Sequence, residues 1–255
     1  MNTQSSPKSI VQRFYAEVIG ARHTELAREL IAPDYIQHNP QVKTGLNGVL
    51  EAIAFLQQFP TPLPPAESPI KHLIEDGPLV GVHMLVDFAG TKQVVMDIFR
   101  VENGQLVEHW DAIQPLITPT VSGTDMVGNP SVMEDLEQTE PNKARIRSLF
   151  ESSWIPRKAD QIQAFFDMNF IQHHPEIAAG QEGMKAWLDS GTMQIQQLHR
   201  VIGEGNLVLA QSSGMKAGQA FVSYDLFRLQ AGMIVEMWNV SQAIPDQMAH
   251  ENGMI

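Results

Sequence analysis

The sequence contains a long internal repeat, and this repeat constrains the fold more than any other feature. The segment YIQHNP at residues 35–40 returns as FIQHHP at 170–175, a distance of 135 residues. DIFR at 97–100 returns as DLFR at 225–228, a distance of 128 residues. Because a repeat of this length far exceeds a solenoid unit, each copy is predicted to be a whole domain.

A third match extends the later part of the repeat. VEHWD at 107–111 returns as VEMWN at 235–239, and each follows a turn built on a glycine. The change in spacing between the early and late matches means that the first copy carries seven extra residues. The proline-rich run at 59–65 is the predicted place for this insertion.

Length supports two domains joined by a linker. The 255 residues, 43% of them hydrophobic, can bury two cores of roughly 110 to 130 residues each. The segment between the copies is rich in Pro, Gly, Ser and acidic residues and has no periodicity. We therefore predict one domain over residues 1–118, a linker over 119–139 and a second domain over 140–255.

Charge and cysteine content exclude several classes of protein. The net charge is −12, and an acidic surface repels phosphate backbones and anionic headgroups, so neither nucleic acid nor membrane is an expected partner. The chain has no cysteine, which removes disulfides, thiolate nucleophiles and cysteine-bound zinc. With no apolar leader or membrane span, we expect a soluble cytoplasmic protein.

Each copy begins with helical periodicity and ends with strands. Apolar residues recur at helical spacing around residues 10–18, 26–31 and 49–56 of the first copy, and Pro33 is expected to end the second of these helices. Strands are predicted at 70–74, 79–88, 93–101 and 106–116, separated by Asp-Gly, Ala-Gly and Asn-Gly turns. The second copy repeats this order, with helices near Ile146, Ile162 and Met184 and with strands from about Leu198, Leu207, Gln219 and Met233. The fold class is therefore α+β.

The segments at 35–40 and 97–111 resemble the SnoaL-like (polyketide cyclase-like) group of the nuclear transport factor 2-like superfamily, and the resemblance covers both copies. It implies two tandem cone-shaped domains, each a curved, mostly antiparallel sheet wrapped by about three helices. Members commonly dimerise through their sheets, so we expect an intramolecular pseudo-dimer with its sheets face to face, which further self-association could extend. The family includes cyclases, isomerases, dehydratases, hydrolases and members without known activity, so the fold does not choose the reaction.

The resemblance also implies a site in the first domain. The family's cyclases use an acid/base aspartate helped by histidines, without metal or organic cofactor. The matching acid/base candidate is Asp111, with Asp97 facing it across a hairpin, His38 at the pocket mouth and His83 in the second strand. Deprotonation next to a carbonyl needs a nearby base and a donor for the enolate oxygen. Asp111 is the expected base, and His38 or His83 is the expected donor.

The expected ligand is a small, largely apolar carbonyl compound, which the first domain would enolise, cyclise or isomerise. Further residues are expected to line the cavity or contact the ligand. They are Phe14, Tyr15, Phe55, Phe88, Phe99, His109 and Trp110 in the first domain, and His173, Asp225 and Trp238 in the second.

Structural, non-catalytic interpretations of the same residues stay open. Asp97 recurs as Asp225, which fits a structural contact as well as catalysis. Trp110 and Trp238 fit core or interface packing better than a substrate platform, because aromatic burial is large. A non-catalytic module that binds a small ligand or mediates assembly is the rival to the enzyme.

Differences between the copies favour chemistry in the first. Asp111 becomes Asn239, and an amide cannot act as a general base. His109 becomes Met237, and His83 becomes Gln211. We therefore expect a degenerate pocket in the second copy.

Other cofactor and nucleophile motifs have little support. The spacing of the histidines and aspartates shows no His-Glu-x-x-His segment, so no metal is expected. There is no nucleotide-binding glycine loop and no Gly-x-Ser-x-Gly elbow. No cofactor is predicted.

Overall fold

The computed structural model describes residues 5–59, 68–88 and 90–255. Within them, the first repeat combines three α-helices with five strands. The helices are α1 (Pro7–Arg13), which continues as a π-helix over Phe14–Gly20, α2 (Thr24–Leu30) and α3 (Gly45–Leu56). The strands are β1 (Ile31–Gln37), β2 (Ile70–Asp76), β3 (Leu79–Phe88), β4 (Thr91–Glu102) and β5 (Gln105–Pro115).

The second repeat has the same order of elements. Its helices are α4 (Thr139–Leu149), which continues as a π-helix over Phe150–Trp154, and α5 (Gly180–Ser190), with 3-10 helices at Leu136–Gln138 and Ala159–Ala164. Its strands are β6 (Phe166–Gln172), β7 (Met193–Glu204), β8 (Leu207–Lys216), β9 (Gln219–Gln230) and β10 (Met233–Ala243).

Each repeat forms one mixed five-stranded sheet, in the order β1-β5-β4-β3-β2 and β6-β10-β9-β8-β7. The short first strand of each repeat runs parallel to the last one, and the strands of the second repeat's meander pair antiparallel. The predicted α+β class and the two tandem copies are confirmed. The order places the long hairpin of β4 and β5 at the centre of the first sheet.

Local sequence explains where the first helix begins and the second ends. The side chain of Ser6 accepts from the backbone N–H of Ser9 and caps α1, and Pro7 takes its first turn. α2 ends at Leu30, earlier than the periodicity predicts, and Ile31 already lies in β1. The chain ahead of Pro33 is biased towards extended backbone, and β1 is an edge strand, where proline is tolerated.

The second repeat differs from expectation in two places. Its predicted middle helix is the 3-10 helix Ala159–Ala164, and its first long strand begins at Met193 rather than Leu198. Buried aromatic side chains fill its core, with Trp154 packed against Phe150 and Phe227 at centroid distances of 4.8 and 5.8 Å.

The chain divides into two compact units. One comprises Met1–His83, Asp97–Asp111 and Pro245–Ile255, and the other comprises Met84–Met96 and Ala112–Ile244. The domain boundaries expected from the sequence stay predictions. Among the described residues, no helix is long and apolar enough to cross a membrane. The expected insertion at 59–65 falls, apart from Phe59, outside the described residues.

Candidate functional site

Two neighbouring strands carry the polar residues at the centre of the first repeat. β4 holds Asp97, β5 holds His109 and Asp111, and all three side chains are buried. Successive side chains of a strand point to opposite faces, so Trp110 lies on the other face of β5. One ligand atom from each of Asp97, His109 and Asp111 lies within 4.8 Å of the others. The structure thus brings the two predicted aspartates together with His109.

Both carboxylate oxygens of Asp97 are engaged. The hydroxyl of Tyr15 donates to Oδ2 at 2.6 Å, and Nε2 of His109 lies 2.9 Å from Oδ1. The ring of Phe99 stacks on His109 with 4.4 Å between centroids, and Phe14 meets Phe99 edge-on at 5.6 Å. Aromatic side chains therefore hold the imidazole in place.

The end of β1 and the loop after it supply two more polar groups. Oε1 of Gln37 lies 2.9 Å from Nδ1 of His109 and also accepts from the backbone N–H groups of His38 and Asn39. Nδ2 of Asn39 donates to Oδ2 of Asp111 at 2.5 Å. The parallel pairing of β1 with β5 aligns Gln37 with His109. This segment therefore orients both the histidine and the aspartate.

Asp111 has the electrostatics of a buried base. Burial raises its pKa to about 6; the charge of His109 lowers that pKa, the charge of Asp97 raises it, and the hydrogen bond from Asn39 lowers it. Its Oδ1 is buried and makes no hydrogen bond within the described part of the chain. A general base works best when its pKa lies near the operating pH. Oδ1 is thus the atom of this cluster best placed to accept a proton.

His109 and Tyr15 complement the two carboxylates. Burial opposes the charged form of His109, but the hydrogen bond to Asp97 and the charges of Asp111 and Asp97 raise its pKa overall. Both ring nitrogens face acceptor oxygens, and only the imidazolium can donate to both. Burial and Asp97 raise the pKa of Tyr15 well above its usual value, so its hydroxyl stays a donor at neutral pH.

The same three residues are those that could hold a metal ion. Asp97, His109 and Asp111 each offer one ligand atom, and imidazole with carboxylates suits several divalent transition metals. Both nitrogens of His109 already contact Asp97 and Gln37, so an ion would have to replace one of these hydrogen bonds.

His38 and Trp110 are not brought to this cluster. Their rings stack at 5.1 Å, Nε2 of His38 lies 3.0 Å from Oε1 of Glu108, and its Nδ1 lies 2.9 Å from the carbonyl oxygen of Gly253. Oε2 of Glu108 accepts from Nε of Arg100 at 2.9 Å. These residues form a buried ring stack and a partly buried ion pair on the opposite face of the sheet.

His83 lies apart from the cluster as well. Its Nδ1 is 3.1 Å from Nδ1 of His72, and the two rings are parallel. In the second sheet Ala210 pairs with Asp225. The same register in the first repeat sets His83 one residue out of step with Asp97, on the other face.

Two of the aromatic residues predicted to line the cavity are substantially exposed. Phe55 is 52% exposed and Phe88 is 43% exposed. The ring of Phe55 packs edge-on against Phe59 at 5.4 Å. Phe14, Tyr15 and Phe99 are therefore the predicted aromatic residues that contact the polar cluster or its neighbours.

In the second repeat, the predicted ligand residues His173 and Trp238 repeat the buried stack. Their rings are parallel at 5.2 Å, and Nε2 of His173 lies 3.1 Å from Glu236, which accepts from Arg228 at 2.8 Å. Nδ1 of His173 lies 2.5 Å from the carbonyl oxygen of Asp125. The polar residues that the copies share on this face are thus scaffold residues.

Asp225, the counterpart of Asp97, lies among neutral groups. Oδ1 accepts from Nδ2 of Asn239 at 2.7 Å, and Oδ2 accepts from the hydroxyl of Ser223 at 3.2 Å. Burial raises its pKa to about 7, although both hydrogen bonds lower it. The position of His109 is taken by buried Met237. The ionic cluster of the first repeat becomes a network of neutral groups here.

Sequence reasoning missed Gln37, Asn39 and Tyr35. It singled out His38 in the segment 35–40, but residues 35, 37 and 39 share a face by alternation, and His38 lies on the other. Burial, and next the negative charge of Asp111, raise the pKa of Tyr35 well above its usual value. The alternation of side chains along residues 35–39 was the sequence signal that could have identified Gln37 and Asn39.

The C-terminal residues hold this loop. Nε2 of His250 lies 2.9 Å from the carbonyl oxygen of Asn39, and the backbone N–H of Ala249 donates to that of Pro40 at 2.8 Å. Nδ2 of Asn252 donates to the carbonyl oxygen of Gln37 at 2.9 Å. Residues 249–252 therefore support the two side chains that orient His109 and Asp111.

Comparison with known proteins identifies the domain that carries this cluster. The model of the SnoaL-like domain family matches residues 11–109. Residues 11–109 form a SnoaL-like domain. The match contains Tyr15, Gln37, Asn39, Asp97 and His109, and it ends two residues before Asp111. No curated protein matches the sequence.

Solved structures resemble parts of the chain. IdmH from Streptomyces antibioticus is 22% identical over 43% of this chain and 93% of its own, with a TM-score of 0.35. A SnoaL-like polyketide cyclase from Agrobacterium tumefaciens is 13% identical over 40% and 91%, with a TM-score of 0.34. An LEH-like epoxide hydrolase from M. tuberculosis is 13% identical over 41% and 85%, with a TM-score of 0.35. The family supports an enzymatic or ligand-binding role.

Proposed function

We propose that the first SnoaL-like domain is a general acid/base site for a small, largely apolar carbonyl compound. The reaction class is enolisation, leading to isomerisation or aldol-type cyclisation. The observation that carries the proposal is the buried Oδ1 of Asp111, which has no hydrogen-bond partner among the described residues and lies beside the His109–Asp97 pair. A base without a competing partner next to a cationic group is what enolate formation requires.

Each member of the cluster has a part in this scheme. Asp111 in its carboxylate form takes the proton from the carbon next to the carbonyl, and the electron pair moves onto the carbonyl oxygen. The charge of His109 stabilises the resulting enolate, and Asp97 and Gln37 hold the ring through its two nitrogens. Reprotonation from Asp111 at another carbon completes an isomerisation. Attack of the enolate carbon on a second carbonyl of the same molecule forms the ring, and transfer of the proton from Asp111 to the new alkoxide oxygen completes a cyclisation.

The rival is a domain that binds a small ligand without reaction. One observation favours it: Asp97 and Asp111 are each only 3% exposed, and Asp97 is fully engaged with Tyr15 and His109. Buried polar networks of this kind also serve to specify a fold.

Proton exchange distinguishes the two. The substrate analogue is 2-tetralone, in deuterated buffer at neutral pH, and NMR measures the rate at which its α-protons are replaced by deuterium. The rate is compared for wild type, Asp111→Asn and the matched variant Asp225→Asn. We expect wild type and Asp225→Asn to exchange above the buffer rate and Asp111→Asn to lose that excess. Equal rates for wild type and Asp111→Asn would falsify the role of Asp111. Ligand shifts without exchange in wild type would favour the rival.

The same assay after EDTA treatment addresses the metal-capable geometry. General acid/base chemistry by Asp111 alone predicts an unchanged rate. A loss that added Zn²⁺ or Mn²⁺ restores would assign the three residues to a metal instead.

A further inference from the structure

Residues 245–255 form a C-terminal arm that contains no helix or strand and belongs to the same compact unit as residues 1–83. Nδ2 of Asn252 donates to the carbonyl oxygen of Gln37 at 2.9 Å and to Oγ1 of Thr44 at 3.0 Å. The side chain of Asn252 is exposed. Both protons of this exposed amide therefore hold the arm against the loop between β1 and α3.

The loop of the second repeat is held by an equivalent contact with a different donor. Thr124 lies 128 residues before Asn252, which is the offset of the late matches between the repeats. The hydroxyl of Thr124 donates to the carbonyl oxygen of Gln172, the counterpart of Gln37. One loop is thus held by a hydroxyl, which is chemically stable, and the other by a primary amide.

The residue after Asn252 makes this amide reactive. It is Gly253, and an asparagine before glycine is prone to deamidation because no side chain hinders ring closure. The backbone nitrogen of Gly253 attacks Cγ of Asn252, the bond from Cγ to Nδ2 breaks, and ammonia leaves with the proton of that nitrogen. Water then opens the succinimide at either carbonyl, which leaves aspartate or isoaspartate at position 252.

The chain contains three Asn-Gly pairs, and the other two lie in regular structure. Gly48 is inside α3, and Gly104 forms the tight turn between β4 and β5. Ring closure brings the glycine nitrogen onto the preceding side chain, so a turn of helix or the end of the hairpin would have to open first. At Asn252, opening of the arm is enough.

Deamidation replaces attraction by repulsion at this contact. The hydroxyl of Thr44 already donates to the carbonyl oxygen of Tyr35 at 3.1 Å, so it has no proton left for a carboxylate. The carbonyl oxygen of Gln37 is an acceptor too, and a carboxylate can only accept. Isoaspartate also lengthens the main chain by one carbon. It therefore displaces Gly253, whose carbonyl oxygen lies 2.9 Å from Nδ1 of His38.

We propose that Asn252 is a deamidation site, and that its conversion to aspartate or isoaspartate releases the C-terminal arm from the first repeat. The released loop carries Gln37 and Asn39, so the modification alters the first repeat and leaves the second, held by Thr124, unchanged. The site is independent of the chemistry proposed for the first domain, because deamidation uses none of its catalytic groups.

Mass spectrometry of the C-terminal peptide measures deamidation of the full chain at pH 8 and 37 °C. A synthetic peptide of residues 245–255 gives the rate without the fold. We expect Asn252 to convert more slowly than in the peptide, because the arm must open first, and faster than Asn47 and Asn103. An Asn252 that stays intact while the peptide converts would overturn the proposal.

His250→Ala tests whether opening of the arm controls the rate. The variant removes the hydrogen bond from the arm to the carbonyl oxygen of Asn39. Loss of one hydrogen bond predicts about fivefold faster deamidation of the full chain, and the same change in the peptide should leave its rate unaltered. An unchanged rate in the full chain would contradict control by the arm.

Two variants test the consequence without any activity assay. Asn252→Asp reproduces one product, whereas Asn252→Thr introduces the donor found at Thr124 and cannot deamidate. The indole N–H signal of Trp110, which stacks on His38, reports the contact, and that of Trp238 in the second repeat is the control. We expect Asn252→Asp and aged wild type to shift only the signal of Trp110. An unmoved signal in Asn252→Asp, or an equal shift in Asn252→Thr, would overturn the release of the arm.

Discussion

The two repeats place different chemistry at equivalent positions of one fold. In the first, Asp97, His109 and Asp111 form a cluster of ionisable groups. In the second, Asp225 and Asn239 face each other beside Met237. On the other face of each sheet, the stack of histidine on tryptophan and the Arg–Glu pair recur almost unchanged. Residues that both copies keep on that face support the fold, and residues that differ set the chemistry of each interior.

Replacing a residue of the ionisable cluster in the first repeat by its counterpart in the second should have the largest effect on α-proton exchange. His109→Met introduces the residue that the second repeat tolerates at this position, and it removes the charge beside Asp111. We expect α-proton exchange of 2-tetralone to fall about 10²–10⁴-fold, the usual contribution of one acid/base group. Met237→Leu is the matched control in the second repeat. Exchange by His109→Met within about threefold of wild type would contradict the comparison.

Asp225 should make stability depend on pH. The folded-state pKa of about 7 lies above the ordinary value of 3.8, so this group's contribution is complete below about pH 4 and is lost as the pH rises through 7. Each pKa unit corresponds to about 1.4 kcal/mol, so the loss is on the order of 4 kcal/mol. Asp225→Asn should therefore be more stable than wild type at pH 8 and similar to it at pH 4.

Urea unfolding at the two pH values measures this difference. The exposed Asp189→Asn carries the same change of charge and should show no such gain. If Asp225→Asn is equally or less stable than wild type at pH 8, Asp225 is not the buried neutral acid described above.

The C-terminal residues should matter for the first interior alone. His250→Ala and Asn252→Ala remove hydrogen bonds to the loop of Gln37 and Asn39, each worth about 1 kcal/mol. We expect exchange to fall several-fold and its pH profile to shift, because Asn39 lowers the pKa of Asp111. Ser122→Ala, which removes a bond to the carbonyl oxygen of Gln172, should leave both unchanged. A fall in stability without a change in the pH profile would reduce these residues to structural support.

The smallest expected effect is on stability, and it concerns a pair of glutamine hydrogen bonds that both repeats contain. Oε1 of Gln114 accepts from the backbone N–H of Ser241, and Oε1 of Gln242 accepts from that of Ile113, both at 2.8 Å. Gln114 and Gln242 are equivalent by the 128-residue offset, and each side chain accepts one backbone N–H. Gln114→Ala and Gln242→Ala should each cost about 1 kcal/mol; clearly unequal costs in thermal unfolding would argue against the equivalence of the two glutamines.

Much of the fold could be predicted from the sequence. Asn-Gly and Asp-Gly pairs between apolar runs predict the strand boundaries of the first repeat. The internal sequence repeat then predicts the corresponding strands of the second. The helical spacing of Leu26 and Leu30 predicts a helix that includes Ile31, but Pro33 biases the residues before it towards extended backbone, and Ile31 lies in β1. The strand start at Met193 was missed because Gln194, Gln196 and Gln197 interrupt its apolar pattern.

The candidate site could be predicted only in part. Asp97, His109 and Asp111 were placed correctly on one face, because alternation along β5 and the hairpin turn fix them. His38 is a titratable residue in a repeated motif, a pattern that predicts a functional role, but its side chain lies with Glu108 and Trp110 on the opposite face of the sheet. The support from His250 and Asn252 joins residues more than 200 positions apart, and such a contact has no local signal in a single sequence.

The most direct test is a ¹³C NMR titration of the aspartate carboxyls in wild type, with Asp111→Asn and Asp225→Asn identifying the two signals. We expect both signals to titrate well above the ordinary aspartate range, near pH 6 for Asp111 and near pH 7 for Asp225, and His109→Met to move only the first. Titration of Asp111 near pH 4, unaffected by His109→Met, would contradict the claim that the first repeat holds a coupled acid/base cluster.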